Sequence, residues 1–217
     1  MRIKVLCKRL FDIIASAVGL ALLSPLLILI ARQIKSKDGG PAFYRGARVG
    51  LYGQPFRIFK FRTMVIDAEK LGASSTSDDD ERITQIGKFL RKHKLDELPQ
   101  LINVLVGDMS LVGPRPEVKK FTDLYNEEEK VILTVQPGIT DWASIWNSDE
   151  GAILSGVKDP DKVYSELIRP TKLKLQIKYV KERSFWVDFK IIFLTVLAIL
   201  KPVSKAVGEI RGGRDNL

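Results

Sequence analysis

Residues 91–117 read RKHKLDELPQLINVLVGDMSLVGPRPE. A basic cluster gives way to two adjacent carboxylates, Asp96 and Glu97, and then to Pro99, whose missing N–H is harmless at a helix start. Leu101, Ile102, Val104, Leu105 and Val106 carry an apolar pattern that Gly107 ends, so the spacing predicts a helix over about 96–106 with the acidic pair in its first turn. There the two carboxylates complement the positive end of the helix dipole. The same exposed N–H groups also favour a bound anion, so the stretch suits a phosphate site as well as a helix start.

A phosphate beside two carboxylates needs cations. Candidates are Lys60 and Arg62, two residues apart on one strand face, Arg91 before the pair, Arg115 between two prolines, and a divalent metal ion on carboxylate oxygen. Together they suit phosphoryl chemistry, in which a carboxylate attacks phosphorus and cations stabilise the charge on its oxygens. Taken singly, each basic residue reads equally as a solvated surface charge.

Upstream, PFRIFKFRTM alternates as a strand, with Ile58, Lys60 and Arg62 on one face and Arg57, Phe59 and Phe61 on the other. GASSTSDDDE, residues 72–81, reads as an exposed loop, since a contiguous acidic run lacks the spaced ligands and glycine of a calcium loop. Helical patterns follow at about 83–92, 96–106, 118–133 and 171–183, punctuated late by Pro160 and Pro170. The expectation is a helix-rich α+β catalytic domain with a small sheet, over 39–183. No repeat, Gly-rich dinucleotide loop or Cys/His cluster is present.

The apolar ends point to a membrane. Ile13 to Ala31 runs 19 residues without a charge, about 28 Å as a helix and just enough to span. A cleaved signal peptide fits poorly, because the run is long and no small-x-small cleavage site follows. Pro25 interrupts the run and frees the carbonyl of Ala21, which Ser24 is placed to engage. The flanks are both basic, with Arg2, Lys4, Lys8 and Arg9 before and Arg32, Lys35 and Lys37 after. Basic flanks on both sides favour both ends on the cytoplasmic face, a re-entrant hairpin over 1–38; a Pro-kinked spanning helix is the alternative. A second run at Ile191–Leu200 is too short to span and reads as an interfacial or core helix capped by Ser184, within a C-terminal segment 184–217.

The formal net charge of +9 favours anionic partners, whether lipid headgroups, phosphorylated substrates or nucleic acid. Nucleic acid ranks last, since no fold signature or aromatic-basic platform accompanies the charge. The single cysteine, Cys7, excludes an internal disulfide and fits a reducing compartment.

KFRTM, LDELPQLINVLVGDMSLVGPRPE, QPGIT and the Ser24-Pro25 break together resemble the bacterial sugar transferases, the monotopic polyprenyl-phosphate phosphoglycosyl transferases, over nearly the whole chain. The resemblance implies a bacterial inner-membrane enzyme with its catalytic domain on the cytoplasmic face. It would move a sugar 1-phosphate from a nucleotide diphosphate sugar, a UDP-sugar above all, to polyprenyl (undecaprenyl) phosphate, with Mg²⁺ as cofactor. On matching positions it implies that Asp96 would be the nucleophile and a metal ligand, and that Glu97 would position or deprotonate the second substrate or help the metal. Lys60, Arg91 and Arg115 hold phosphates, Pro114 fixes the Arg115 turn, and Ser24-Pro25 marks the re-entrant break.

Three departures stand out. Lys94 occupies a position where the family commonly has a capping Ser or Thr, and lysine offers no acceptor. Gln176 stands where the family often has Asp before a Tyr-Val pair. GITDWASIWNSDE replaces a Gly-Trp version and is expected to face the sugar, with Trp142 and Trp146 open to core or stacking roles. A non-catalytic lipid-binding surface module is the rival reading, and anionic membrane lipid is a partner under either.

Overall fold

The computed structural model describes residues 2–68, 71, 75–147 and 150–200, side chains at 2–4, 199 and 200 excepted. The first part of the 72–81 loop and the tail from 201 lie outside these residues.

The chain opens with α1, Arg2–Asp38, which carries Pro25 in its interior. Ser24 Oγ donates to the Ala21 carbonyl at 2.8 Å, the group proline leaves without its usual partner. One stripe of α1 is buried against the rest of the chain, at Asp12, Ser16, Ile30 and Ile34. The opposite side exposes Leu6, Leu10, Ile14, Val18, Leu22 and Leu29.

The basic residues at the start of α1 are not the free flank expected of them. Lys8 Nζ donates to Asp188 at 2.6 Å and to the Val112 carbonyl at 3.1 Å. Arg9 donates to the carbonyls of Val104 and Leu105 at 2.6 and 2.9 Å, at a helix C-terminus where a cation is favoured. Asp12, 3 % exposed, accepts from Ser110 Oγ at 2.8 Å and Leu111 N–H at 3.1 Å. Further along, Ile30 and Ile34 pack with Phe61 and Leu90.

Short strands follow: β1 Phe43–Tyr44, β2 Ala47–Val49, β3 Pro55–Arg57 and β4 Lys60–Phe61. The helices are α2 Gln85–Lys92 and α3 Gln100–Val106, then β5 Ser110–Val112, α4 Lys119–Thr122 and β6 Gly138–Thr140. The last third is α5 Trp142–Trp146, α6 Glu150–Ile153, α7 Pro160–Val163, α8 Arg169–Glu182 and α9 Phe185–Leu200. The expected small sheet is three two-stranded pairs among the described residues: antiparallel β1–β4 and β2–β3, and parallel β5–β6.

The single strand read in PFRIFKFRTM is two, broken at Ile58–Phe59, and its alternation fails: Ile58, Phe61 and Arg62 are all buried. The cause is Asn103 of α3, which accepts from Phe59 N–H at 2.7 Å and donates to the Arg57 carbonyl at 2.9 Å and Asp108 at 3.1 Å. A fully buried amide satisfying the backbone on both sides of a break fixes the strand to the helix. Asn103→Leu is expected to destabilise the fold by about 2–4 kcal/mol, since it strands buried backbone groups; denaturant unfolding measures it, with Asn103→Asp keeping only the Phe59 bond.

The 118–133 pattern is α4 plus a 3₁₀ segment, Glu129–Thr134. Pro170 does not end a helix. Residues 160–182 run on through a π-helical turn at Tyr164–Ile168, a local widening that accommodates the proline's missing donor. α9 is capped by Ser184 Oγ, which accepts from Val187 N–H at 3.3 Å.

Candidate active site

The acidic pair is not in the first turn of α3. Leu95–Glu97 forms a separate 3₁₀ turn, entered through Lys94 at φ 55°, and α3 begins only at Gln100. Left-handed Lys94 breaks the path from α2 and turns the chain, and it supplies no side-chain cap. With the carboxylates outside α3, a phosphate seat on that helix's N-terminus loses its geometric support.

The 3₁₀ turn sends the two side chains different ways. Glu97 receives Lys60 Nζ at 2.8 Å on Oε1 and Arg115 Nη1 at 2.9 Å on Oε2, with Arg115 Nη2 also bonded to Oε1. Lys60 arrives on β4, which the Asn103 clamp sets beside the turn. Arg115 arrives on a loop held by backbone on both sides: before it, Gly113 N–H bonds the Thr140 carbonyl at 3.0 Å and Gly138 N–H the Pro114 carbonyl at 2.9 Å, and after it Val49 N–H bonds the Glu117 carbonyl at 2.9 Å. GPRPE and QPGIT therefore meet as one unit. Their glycines are required, because a Cβ on Gly138 would lie 2.0 Å from Gly113 N.

Asp96, 7 % exposed, has no hydrogen bond or ion pair among the described residues. Burial raises its carboxyl above the ordinary 3.8, against the pull of Lys60 and with repulsion from Glu97 added. Glu97 goes the other way. Burial would raise it too, but Arg115 and Lys60 together hold it well below the usual range. Two neighbouring carboxylates driven apart in this manner take different roles. One is a fixed anion organising two cations, and the other is an unshared carboxylate that its cations draw on but do not bind. Arg91 acts on Asp96 through space without bonding to it. Arg115 keeps 32 % of its side chain exposed, so its guanidinium can meet a ligand while holding Glu97.

Arg62 is not brought to this cluster. Its guanidinium forks onto both Asp38 oxygens at 2.6 Å and onto the Pro41 carbonyl at 2.7 Å; β4 ends at Phe61, so Arg62 lies past the strand that carries Lys60. It ties down the end of α1 instead. Several residues of the site's support escaped the sequence reading. Asn103 had a signal, a polar residue within an apolar helical stretch; Gln100, whose Nε2 is buried without a partner, had the same one. Asp141 and Glu117 had none, since acidic residues near a turn are ordinary on a surface.

The described residues contain no group of three or more His, Cys, Asp or Glu able to hold a metal by themselves. Mg²⁺ is commonly held by one or two carboxylates, water and substrate phosphates. Unshared Asp96 fits that donor set, while Glu97, with both oxygens occupied by cations, does not add to it.

The α+β domain thus joins one helix long and apolar enough to cross a membrane to a split carboxylate pair and two cations that converge on Glu97. Residues 3–202 match the family described as Bacterial sugar transferase, and the chain belongs to that family. It is 38% identical over 198 residues to the UDP-N-acetylgalactosamine-undecaprenyl-phosphate N-acetylgalactosaminephosphotransferase of Aeromonas hydrophila, covering 89% of this chain and 43% of that one. It is 39% identical over 197 residues to the UDP-glucose:undecaprenyl-phosphate glucose-1-phosphate transferase of Escherichia coli K12, covering 88% and 39%. With the sugar transferase EpsL of Bacillus subtilis strain 168 it shares 39% identity over 193 residues, 89% of this chain and 87% of that one. The chain thus spans only about two fifths of the length of the first two relatives.

Proposed function

We propose that this protein is a phosphoglycosyl transferase that moves a sugar 1-phosphate from a UDP-sugar to undecaprenyl or a similar polyprenyl phosphate, beginning a bacterial polysaccharide or glycoconjugate. The observation that carries the reading is the unshared, buried Asp96 beside a Glu97 already neutralised by Lys60 and Arg115. The relatives' substrates support the substrate class.

In the first half-reaction an Asp96 oxygen attacks the β-phosphorus of the nucleotide sugar. The bond from that phosphorus to the bridging oxygen breaks, and nucleoside monophosphate leaves with the electron pair. The phosphosugar stays on Asp96 as an acyl phosphate. In the second, a phosphate oxygen of the polyprenyl phosphate attacks the same phosphorus, releasing the Asp96 carboxylate and forming the polyprenyl diphosphosugar. Such double displacement gives ping-pong kinetics. Arg115 and Lys60 stabilise negative charge on the phosphoryl oxygens, Arg91 adds long-range attraction for the diphosphate, and Pro114 restricts the loop that carries Arg115. Glu97 keeps both cations in place and orients the second substrate. Mg²⁺, held by Asp96 with substrate phosphate, would supply further charge neutralisation.

The membrane reading is a re-entrant α1 with both ends on the cytoplasmic face, the domain at 39–183 beneath it and α9 at the interface. Support comes from where α1 is docked: Lys8, bonded to the Val112 carbonyl, with Arg9 and Asp12 near its start, and Ile30 and Ile34 near its end, pack on residues within 39–183. A helix crossing a core of about 30 Å would carry one end away from it. The exposed apolar side of α1 continues through the Phe11–Phe185 ring contact at 6.1 Å onto Phe185, Trp186, Phe189 and Phe193 of α9. Anionic headgroups would meet the surrounding basic surface.

The purified protein, in detergent or vesicles with Mg²⁺ and polyprenyl phosphate, is expected to release nucleoside monophosphate from one or a few members of a UDP-sugar panel. No release from any nucleotide sugar would leave the non-catalytic surface-module reading in its place. For topology, exposed Cys7 is first replaced by serine. Single cysteines at Lys4 and Lys37 are then expected to label from the cytoplasmic side alone, and periplasmic labelling of either rejects the hairpin.

A further inference from the structure

The Arg115 peptide is clasped on both sides by side chains remote in sequence. Its N–H points to Asp141 Oδ2 at 3.4 Å, and its carbonyl accepts from Gln176 Nε2 at 3.3 Å. Gln176 Nε2 also donates to the same Asp141 oxygen at 3.2 Å. The other oxygen, Oδ1, accepts from Ser144 N–H and Oγ, both at 2.7 Å, so the carboxylate is fixed to the start of α5. Two residues past Arg115, Glu117 is buried and receives Lys172 Nζ at 2.9 Å and the Tyr164 hydroxyl at 2.5 Å. Lys172 in turn donates to that hydroxyl at 2.8 Å. Lys172 and Gln176 are four residues apart on α8, one above the other on a single helix face.

Packing alone does not ask for this polar content. Gln176 is wholly buried, and its Oε1 has no hydrogen-bond partner. Reversing the amide would set that oxygen against the Arg115 carbonyl and the Asp141 carboxylate, so the orphaned acceptor is the consequence of keeping the donor on both. A leucine would fill the volume without an unsatisfied oxygen. What a leucine lacks is a grip on the Arg115 peptide.

We propose that Gln176 and Lys172 of α8, acting through Asp141 and Glu117, are positioning residues that hold the Arg115 turn at the distance its guanidinium needs to stabilise the transferring phosphoryl group. The proposal rests on the phosphotransferase reading above. Neither residue touches substrate; α8 serves as a splint along the back of the loop, with one clasp at Arg115 itself and one at Glu117.

The test is a mutant cycle on nucleoside monophosphate release, with rates expressed per folded protein from thermal melts. Gln176→Leu is expected to lower kcat about tenfold or more with a smaller change in KM, the consequence of a misplaced catalytic group. In an Arg115→Ala background the same substitution is expected to change kcat less than twofold, because the group being positioned is gone. Glu117→Gln, which keeps the side chain's shape while removing the charge facing Lys172, should show the same dependence on Arg115 and tests the second clasp if Gln176→Leu folds poorly. Equal losses in both backgrounds, or undiminished kcat in Gln176→Leu and Glu117→Gln, would overturn the splint while leaving the enzyme reading intact. A wild-type protein that releases no monophosphate overturns the enzyme reading and the splint with it.

Discussion

Asp96→Asn is expected to reduce nucleoside monophosphate release by at least roughly 10³-fold, as loss of a covalent nucleophile does, with little change in the melting temperature. The stability part of the expectation follows from geometry. The Asp96 carboxylate has no hydrogen bond or ion pair among the described residues, and burial raises its carboxyl above 3.8. Removing a buried charge that nothing bonds relieves a desolvation cost. With a radiolabelled sugar phosphate, the wild type in the absence of polyprenyl phosphate should retain label on the protein and the variant should not. Unchanged release by Asp96→Asn rejects the nucleophile. The acid limb of kcat/KM should also lie above 3.8, since the attacking form is ionised and its protonation is favoured by burial. Falling pH protonates Asp96 first, while Glu97, held low by Arg115 and Lys60, stays charged.

Arg115→Ala is expected to cost about 10²–10³-fold in kcat, the range found when one preorganised donor to a developing anion is lost. Arg115→Lys should recover only part of it, since a point charge cannot span both Glu97 oxygens and still present a planar face to phosphate. The substitution also acts on stability with a defined sign. Glu97 is depressed in the folded protein, so its ion pairs contribute stability above the ordinary 4.5 that is lost as pH falls through the folded value. The gap in melting temperature between wild type and Arg115→Ala is therefore expected to be largest near neutral pH and to narrow in acid. A gap independent of pH would show that Arg115 does not hold Glu97 ionised.

The candidate site was legible in sequence where its signals are local. Asp96 and Glu97 stood out as an adjacent pair, Arg115 as a cation between prolines, and Ser24-Pro25 as an interruption in an apolar run. The Ser24 bond to the Ala21 carbonyl followed from proline chemistry alone. Arg62 was misplaced beside Lys60 because alternation assumes that the strand runs on, whereas β4 stops at Phe61 and Arg62 turns to Asp38 and the Pro41 carbonyl, 24 and 21 residues away. Lys94 looked like a failed cap. It is instead the left-handed residue that detaches the Asp96 turn from α2, a conformation that side-chain chemistry does not announce. Gln176 looked like a lost acid at a position where the resembling family often has Asp, yet the carboxylate facing the Arg115 N–H comes from Asp141.

By itself, the amino-acid sequence determined the apolar ends, the helix-rich α+β class, the acidic pair and the proline-bounded arginine. Each depends on side chains within about one helical turn of one another, where hydropathy, charge and backbone restriction act directly. Only the tertiary structure decided which cations close on Glu97, that Asp96 is left unshared, and that α1 is docked at both ends on one domain. Those outcomes rest on bonds across 37 residues for Lys60 and Glu97, 18 for Arg115 and Glu97 and 98 for Asp12 and Ser110. At such separations, partner choice is set by how the strands, turns and α8 pack, because a buried charge takes the counter-charge that packing delivers to it.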